Sequence, residues 1–471
     1  MKVGVIGQGY VGLVTSACLA AWGHDVVGAE SNRDRLAALS EGHAPFVEPG
    51  LDDLLASGIA SGKLAFVSSA REAAAWADAV IVAVGTHDGN GGWQTETMLT
   101  CLADVLPGIA DDGVLVIRST LPPDFIRQLP GLLRSLREQA GRSPIPSVLN
   151  PEFTREGSAV HDFTQADRVV IGSIDDPAGA GATLVRNLYE AGESPVLEMT
   201  AIDAAFAKLG ANLFLATKIS FANELARLCD AYGASVDRVV ETMAYDGRIG
   251  GRFLKPGVGF GGSCLPHQVT MTVRSAELAG IPSPLLAAVD EINHRQRVDF
   301  VERICDVLGG SVKGTRIAML GLTFKPFTDD LRDAPSVSIA ARLLDQGAQV
   351  VAYDPMPSAR QRFAEAMPGV QVVDTAVAAL EGADAAALVT EWPEFLELDW
   401  GSVQRIMKRP VIADGRGALQ RDLLIQMGFD YVAFGRGLSS QAADAVPAFE
   451  IDGVFEGPMS AADSPQLAVA E

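Results

Sequence analysis

Cys264 stands in the stretch GFGGSCLPHQ, residues 259–268, where small neighbours leave room for a substrate to reach its sulfur. A thiolate in such a place is a nucleophile for carbonyl carbon. No carboxylate adjoins it in sequence. Lys208 and Asn212 lie four residues apart in an apolar, helix-compatible stretch and so share one face. Glu152 and Glu156 in NPEFTREG are spaced in the same way. Taken singly, each has a plainer reading: a small buried cysteine, a solvated polar pair, an exposed pair of acids. Their weight is joint.

A second pattern concerns phosphate. Gly7-Gln8-Gly9-Tyr10-Val11-Gly12 follows an apolar run, Val3–Ile6, and opens a small-residue helical segment. Glycines at these spacings allow a tight turn, close approach of a pyrophosphate and helix–sheet packing, with the helix N-terminus facing the charge. Glu30 ends the next strand, Asp25–Glu30, 18 residues after Gly12. A carboxylate there accepts from an adenosine ribose and repels a 2′-phosphate, so NAD is favoured over NADP.

These residues need a frame. The 471 residues exceed one core, so two or three domains are expected. Strand-like runs recur at 79–84 and 113–117 between helical segments, the signature of a mostly parallel α/β sheet. The pattern restarts at RIAMLGLTFKP from Arg316: LLDQGAQVVAYD echoes CLAAWGHDVVGAE, and GADAAALVTEW echoes WADAVIVAVGT. The second half lacks the glycine fingerprint, which points to a different ligand. The fold expected is two Rossmann-like, doubly wound parallel sheets joined by a long central helix and a helical middle domain. Its divisions fall at 1–199 for the cofactor domain, 200–300 for the helical and dimerisation domain, 301–455 for the second sheet and 456–471 for a frayed tail. The long helix begins after Thr200 and ends at Gly233, with one face available to a second subunit.

The net charge of −22 repels nucleic acid and anionic membranes and leaves a small molecule or a protein as partner. Five scattered cysteines without a CxxC argue against a disulfide framework or zinc site and for a reducing cytoplasm. The start of the chain superficially resembles a signal peptide, but the glycine fingerprint explains it better. No apolar stretch is long enough to span a bilayer. No metal is expected.

The ordered set GYVGLVTSACLA, EPGLDDLL, VGT, RSTLPP, NPEFTREG, NLFLATKISFANELARLC, GRIGGRFLKPGVGFGGSCLP, GLTFKPFTDDLRDAPS, VTEWPEF and DGRG resembles the UDP-glucose/GDP-mannose dehydrogenase family nearly end to end. The resemblance implies a four-electron oxidation of a nucleotide-sugar C6 alcohol to a carboxylate, with two NAD consumed in turn. UDP-glucose is the favoured substrate within the family, and a dTDP- or GDP-hexose is the alternative. It implies that Cys264 captures the aldehyde, that Lys208 with Asn212 stabilises the oxyanion, and that Thr120, Glu152 and Glu156 order water and move protons. Cofactor positions then match Gly7, Gly9, Tyr10, Val11, Gly12, Glu30, Arg35, Thr86, Thr120, Glu156, His267 and Arg332. Nucleotide-sugar positions match Glu152, Phe153, Lys208, Asn212, Phe253, Leu254, Lys255, Gly257, Gly261 and Lys325. Arg248 matches a residue that reaches a neighbouring subunit's site. Lys325, Arg248 and Arg416 would bring positive charge to a diphosphate.

Two departures stand out. The family's Lys-Asp after the cysteine motif is His267-Gln268 here, and VGT continues as HDGNGGWQ instead of with proline. An impaired or purely binding homologue is therefore a competing reading, although Cys264, Lys208, Asn212, Glu152 and Glu156 are all kept. An epimerase or dehydratase of the short-chain reductase type would need Tyr-x-x-x-Lys, and none of the six tyrosines has a lysine four residues on.

Overall fold

The computed structural model describes residues 1–87 and 92–436. The expected tail at 456–471 and the Asp88–Gly91 part of the unusual loop lie outside the described residues.

Eight strands build the first sheet: β1 (Lys2–Ile6), β2 (Asp25–Ala29), β3 (Leu64–Val67), β4 (Ala79–Val82), β5 (Val114–Ile117), β6 (Ser147–Leu149), β7 (Val169–Asp175) and β8 (Val196–Thr200). Their order is β3-β2-β1-β4-β5-β6-β7-β8. All neighbours are parallel except β6 and β7, which run antiparallel. A second sheet holds β9 (Arg316–Leu320), β10 (Gln349–Tyr353), β11 (Gln371–Val372), β12 (Ala385–Leu388), β13 (Val411–Asp414) and β14 (Asp430–Ala433), all parallel, in the order β11-β10-β9-β12-β13-β14. Both are doubly wound, as expected. In each, strand order reverses beside the first strand, and the crevice there is where such sheets bind ligands. The strands nearest that reversal, β4, β5, β12 and β13, are buried throughout, which explains why they are apolar save for the buried Asp414 at the end of β13.

The glycine fingerprint has a steric cause. Gly7 adopts φ +90°, in the left-handed region. A Cβ on Gly12 would stand 1.8 Å from the Gly7 carbonyl oxygen, so the helix Tyr10–Ala21 packs on the turn only with glycine there. Gly9 differs: nothing lies within 4 Å of where its Cβ would be, so its backbone faces open space.

The reversal at β7 positions the helical middle. Because β8 runs with β7 and against β1, Thr200 emerges at the edge of the sheet opposite the glycine turn. The helix Ala201–Tyr232 starts there, its first turn capped by the Thr200 hydroxyl accepting from the Asp203 amide at 3.2 Å, and packs back along β7. At 1.5 Å per residue, Lys208 and Asn212 sit about 10–17 Å along it, the length of a strand, and so arrive at the cleft edge. Gly233, left-handed at φ 70°, ends the helix. The helices Leu265–Leu278 and Pro284–Val307 pack against it. The last runs unbroken through residue 300, so Phe300, Val301 and Ile304 join the core of the second sheet. Among the described residues, no helix is long and apolar enough to cross a membrane.

Gly12→Ala should destabilise the fold by about 1–3 kcal/mol, the usual cost of overpacking, read as a lowered thermal midpoint. Gly9→Ala, with open space for its methyl, should leave the midpoint unchanged.

Candidate active site

The C-terminal ends of β1, β4, β5 and β6, the long helix, and the loop after β9 converge on one cleft. Cys264 is the N-cap residue of the helix Leu265–Leu278, with Pro266 in the first turn. A helix N-terminus favours a thiolate. Cys264 is exposed, yet the surrounding protein is dense enough that burial pushes its thiol above the ordinary value. The Glu152 charge pushes the same way, Lys208 opposes it, Glu156 adds to the rise, and the Ser263 hydroxyl pulls down.

Glu152 follows β6, and Lys208 comes from the long helix. Their charged groups meet at 2.9 Å, both buried. Burial alone would raise the Glu152 carboxyl, but the Lys208 charge and two hydrogen bonds from Thr154, 2.7 and 2.6 Å, hold it low. The Lys208 ammonium also lies 5.2 Å from the centre of the Phe153 ring, whose other neighbour is the Arg168 guanidinium at 3.9 Å. Asn212, one turn on from Lys208, donates from Nδ2 to the Gln268 side-chain oxygen at 2.9 Å. Gln268 is buried and so belongs to the site, holding the amide that shares a face with Lys208.

Glu156 reaches the thiol from the other side. Its Oε1 accepts from the Ser263 hydroxyl at 3.2 Å, and Ser263 Oγ is 3.7 Å from Cys264 Sγ. Arg332 bridges Glu156, at 3.0 Å, and Asp330, at 2.7 Å. Burial first, then the Asp330 charge, pushes the Glu156 carboxyl up to about 7, with Arg332 opposing. Asp330 is also desolvated, but its hydrogen bonds and charge contact with Arg332 hold it low. Of the two carboxyls, Glu156 is the one that takes up a proton first as pH falls. Glu156 Oε2 is buried with no hydrogen-bond partner. Lys325 lies near: burial lowers its ammonium, and the Glu156 charge resists.

The cofactor turn opens on a cleft of about 550 Å³ lined by Gly9, Tyr10, Arg35, Glu156 and Arg332. The helix N-terminus at Gly9 has no side-chain cap, leaving its amides available. Glu30 is held by the Asn32 amide at 2.8 Å and by Arg35 at 3.3 Å. The Thr86 hydroxyl donates to the Thr120 carbonyl at 2.7 Å, and Val11 lies in the first turn of the helix. An open glycine, uncapped amides and an oriented carboxylate fit a dinucleotide.

The loop 253–261 is shaped by tight approaches. Phe253 is exposed and left-handed at φ 65°, Leu254 is buried, and Lys255 is exposed. The Gly257 amide donates to Asn223 at 2.8 Å. A Cβ on Gly261 would stand 2.4 Å from the Asp333 carbonyl oxygen. Arg248 lies apart, its side chain 90% exposed and paired with Asp246. Arg416 departs from expectation: its guanidinium donates to the carbonyls of Val389, Gly259 and Phe324 at 2.7–3.2 Å. It ties the loop before Cys264 to the second sheet instead of standing open to a diphosphate. Sequence reasoning also passed over Ser263 and Asp330. Asp330 sits within TDDLRD, where alternating acids and arginine were the available signal.

Fold and cleft together define an NAD-dependent dehydrogenase with two nucleotide-binding sheets. Residues 1–192 match the NAD binding domain of the UDP-glucose/GDP-mannose dehydrogenase family, residues 203–295 its central domain, and residues 318–421 its UDP binding domain. A UDP-glucose 6-dehydrogenase of Pseudomonas aeruginosa is 39% identical over 442 residues, 93% of this chain and 98% of that protein. One of Rhizobium meliloti is 37% identical over 443 residues, 93% of this chain and all of that protein. A solved UDP-glucose dehydrogenase from Pyrobaculum islandicum superposes with a TM-score of 0.83 at 33% identity, covering 92% of this chain and 97% of that one. The chain belongs to the UDP-glucose/GDP-mannose dehydrogenase family, and its cofactor is NAD.

Glu156 gives a pH prediction. Its folded-state value lies near 7 against an ordinary 4.5, so the folded form binds the proton more tightly. Stability should fall as pH rises between those two values and level off above. Glu156→Gln should remove that slope in pH-dependent denaturation, together with any inflection near pH 7 in kcat/KM.

Proposed function

We propose that the chain oxidises the C6 alcohol of UDP-glucose to UDP-glucuronate through a covalent intermediate on Cys264. The observation that carries this reading is the exposed helix-capping thiol set between a buried Lys208–Glu152 pair and a proton-holding Glu156. The UDP-glucose activity of the relatives supports the choice of sugar nucleotide.

NAD, when bound, accepts the hydride in each of two oxidations. Lys208 steadies the oxygen of the first alkoxide and later oxyanions, with Asn212 beside it and Glu152 keeping the ammonium in place. In the first oxidation C6 loses a hydride and its hydroxyl proton, giving an aldehyde. The Cys264 thiolate then adds to the aldehyde carbon, and the oxygen gains a proton to give a thiohemiacetal. Loss of that proton and a second hydride leaves a thioester. Water attacks it, the C–S bond breaks, and carboxylate and thiolate are released. Glu156, with its proton near neutrality and its link through Ser263 to the sulfur, serves proton transfer in these steps, and Thr120 orders water. Gln268 can hold Asn212 but takes no proton at neutral pH, which makes a slower hydrolysis than an aspartate would give.

Phe253–Gly257, Gly261 and Lys325 hold the nucleotide sugar in this reading. The chain works as a homodimer or larger homo-oligomer in the cytoplasm, with Arg248 reaching the neighbour's site. Phe206, Phe214, Phe221, Leu228 and Tyr232 form an exposed apolar stripe on the long helix, and a second copy of this chain covers it.

Incubation with UDP-glucose and excess NAD should yield two NADH per sugar consumed. One NADH with free aldehyde would overturn the thioester mechanism, and turnover only with dTDP- or GDP-hexoses would move the substrate. Cys264→Ser should lose acid production by several orders of magnitude while still binding the sugar nucleotide. Phe214→Arg should shift the protein to monomer in sedimentation.

A further inference from the structure

The two departures from the family's pattern meet in space. Thr86 and His87 pair with Gln94 and Trp93: the Gln94 amide donates to the Thr86 carbonyl at 2.9 Å, and His87 and Trp93 form an antiparallel bridge. The His87 ring lies 5.8 Å from the Trp93 ring, tilted by 42°. His267, three residues beyond Cys264 in the first turn of the cysteine helix, also packs against the His87 ring. Those two imidazoles lie 5.8 Å apart with planes only 6° from parallel, an offset stack. From below, the buried Thr86 fixes the start of this segment by its bond to the Thr120 carbonyl. A proline at 87 and a lysine at 267 could not make an aromatic ring pair, so both substitutions are needed for the contact.

We propose that His87 and His267 are positioning residues for the dehydrogenase reaction: their stack fixes the Thr86–His87 segment against the first turn of the cysteine helix and so sets the placement of NAD relative to Cys264. The cofactor domain supplies one ring and the central domain the other. Thr86 and Thr120 lie on the cofactor side, and Cys264 lies within one helical turn of His267. The inference rests on Cys264 as the nucleophile. A side chain that acts by holding two domains in register shows itself in the use of NAD and in mutual dependence, not in loss of fold.

The test is a double-mutant cycle on the full chain, with NAD and UDP-glucose as substrates. His87→Ala and His267→Ala should each lower kcat/KM for NAD by about 3- to 10-fold, the scale of one aromatic pair. The double variant should lose no more than either single one. His87→Phe, which keeps a stacking ring, should recover most of the loss, and thermal midpoints should stay near wild type. Additive losses, a wild-type-like His87→Ala, or failure of His87→Phe to rescue would overturn the proposal. A Cys264→Ser enzyme that still makes acid would instead remove the mechanism beneath it, so the two failures are told apart.

Discussion

The buried ion pair between Lys208 and Glu152 is the contact on which the site's geometry depends. It joins the end of β6 to the long helix, one group from each, at 2.9 Å with both side chains almost wholly enclosed. Removing one partner would strand the other's charge in the interior, which is far costlier than losing a surface pair. Thr154 satisfies the remaining Glu152 oxygen, and Phe153 offers its face to the ammonium. The cleft thereby keeps an ammonium beside the thiol, opposing but not outweighing the burial that raises it.

A second, looser pole faces it. Glu156, Asp330 and Arg332 form a cluster with one proton to place, and Ser263 carries its influence to the sulfur. The two poles answer the chemistry differently. Lys208 and Glu152 are a locked pair, ammonium and carboxylate held 2.9 Å apart. The Glu156 carboxyl sits near 7, where gaining and losing a proton are nearly balanced. One pole is a fixed ion pair, and the other is a group poised to change its protonation state near neutrality.

Much of this was legible in the sequence. Unbroken apolar strands, the glycine turn and the Thr200 and Gly233 stops announced two doubly wound sheets and a long helix, because each depends on local sterics or on a strong hydrophobic period. The pairing of Lys208 with Asn212 was visible as a helical spacing. The partners that make those residues work were not: Glu152 is 56 residues from Lys208, and Gln268 is 56 from Asn212. Such contacts depend on tertiary closure, which leaves no periodic trace. The antiparallel turn at β7, which delivers the helix to the cleft, was likewise hidden, since a strand's direction is not written in its composition. Arg416 misled for the same reason: an arginine in a glycine turn has the same sequence signature whether it waits for phosphate or ties down carbonyls.

The reversed strand has a mechanical result. With its first turn anchored at the far edge of the sheet, the helix Ala201–Tyr232 spans about 48 Å as one continuous rod. Lys208 and Asn212 ride on one side of it, and the aromatic stripe runs along its outer side. One continuous element thus carries both the outer apolar stripe and the ammonium of the cleft, so the surface that a neighbour would cover and the site's innermost charge share one backbone.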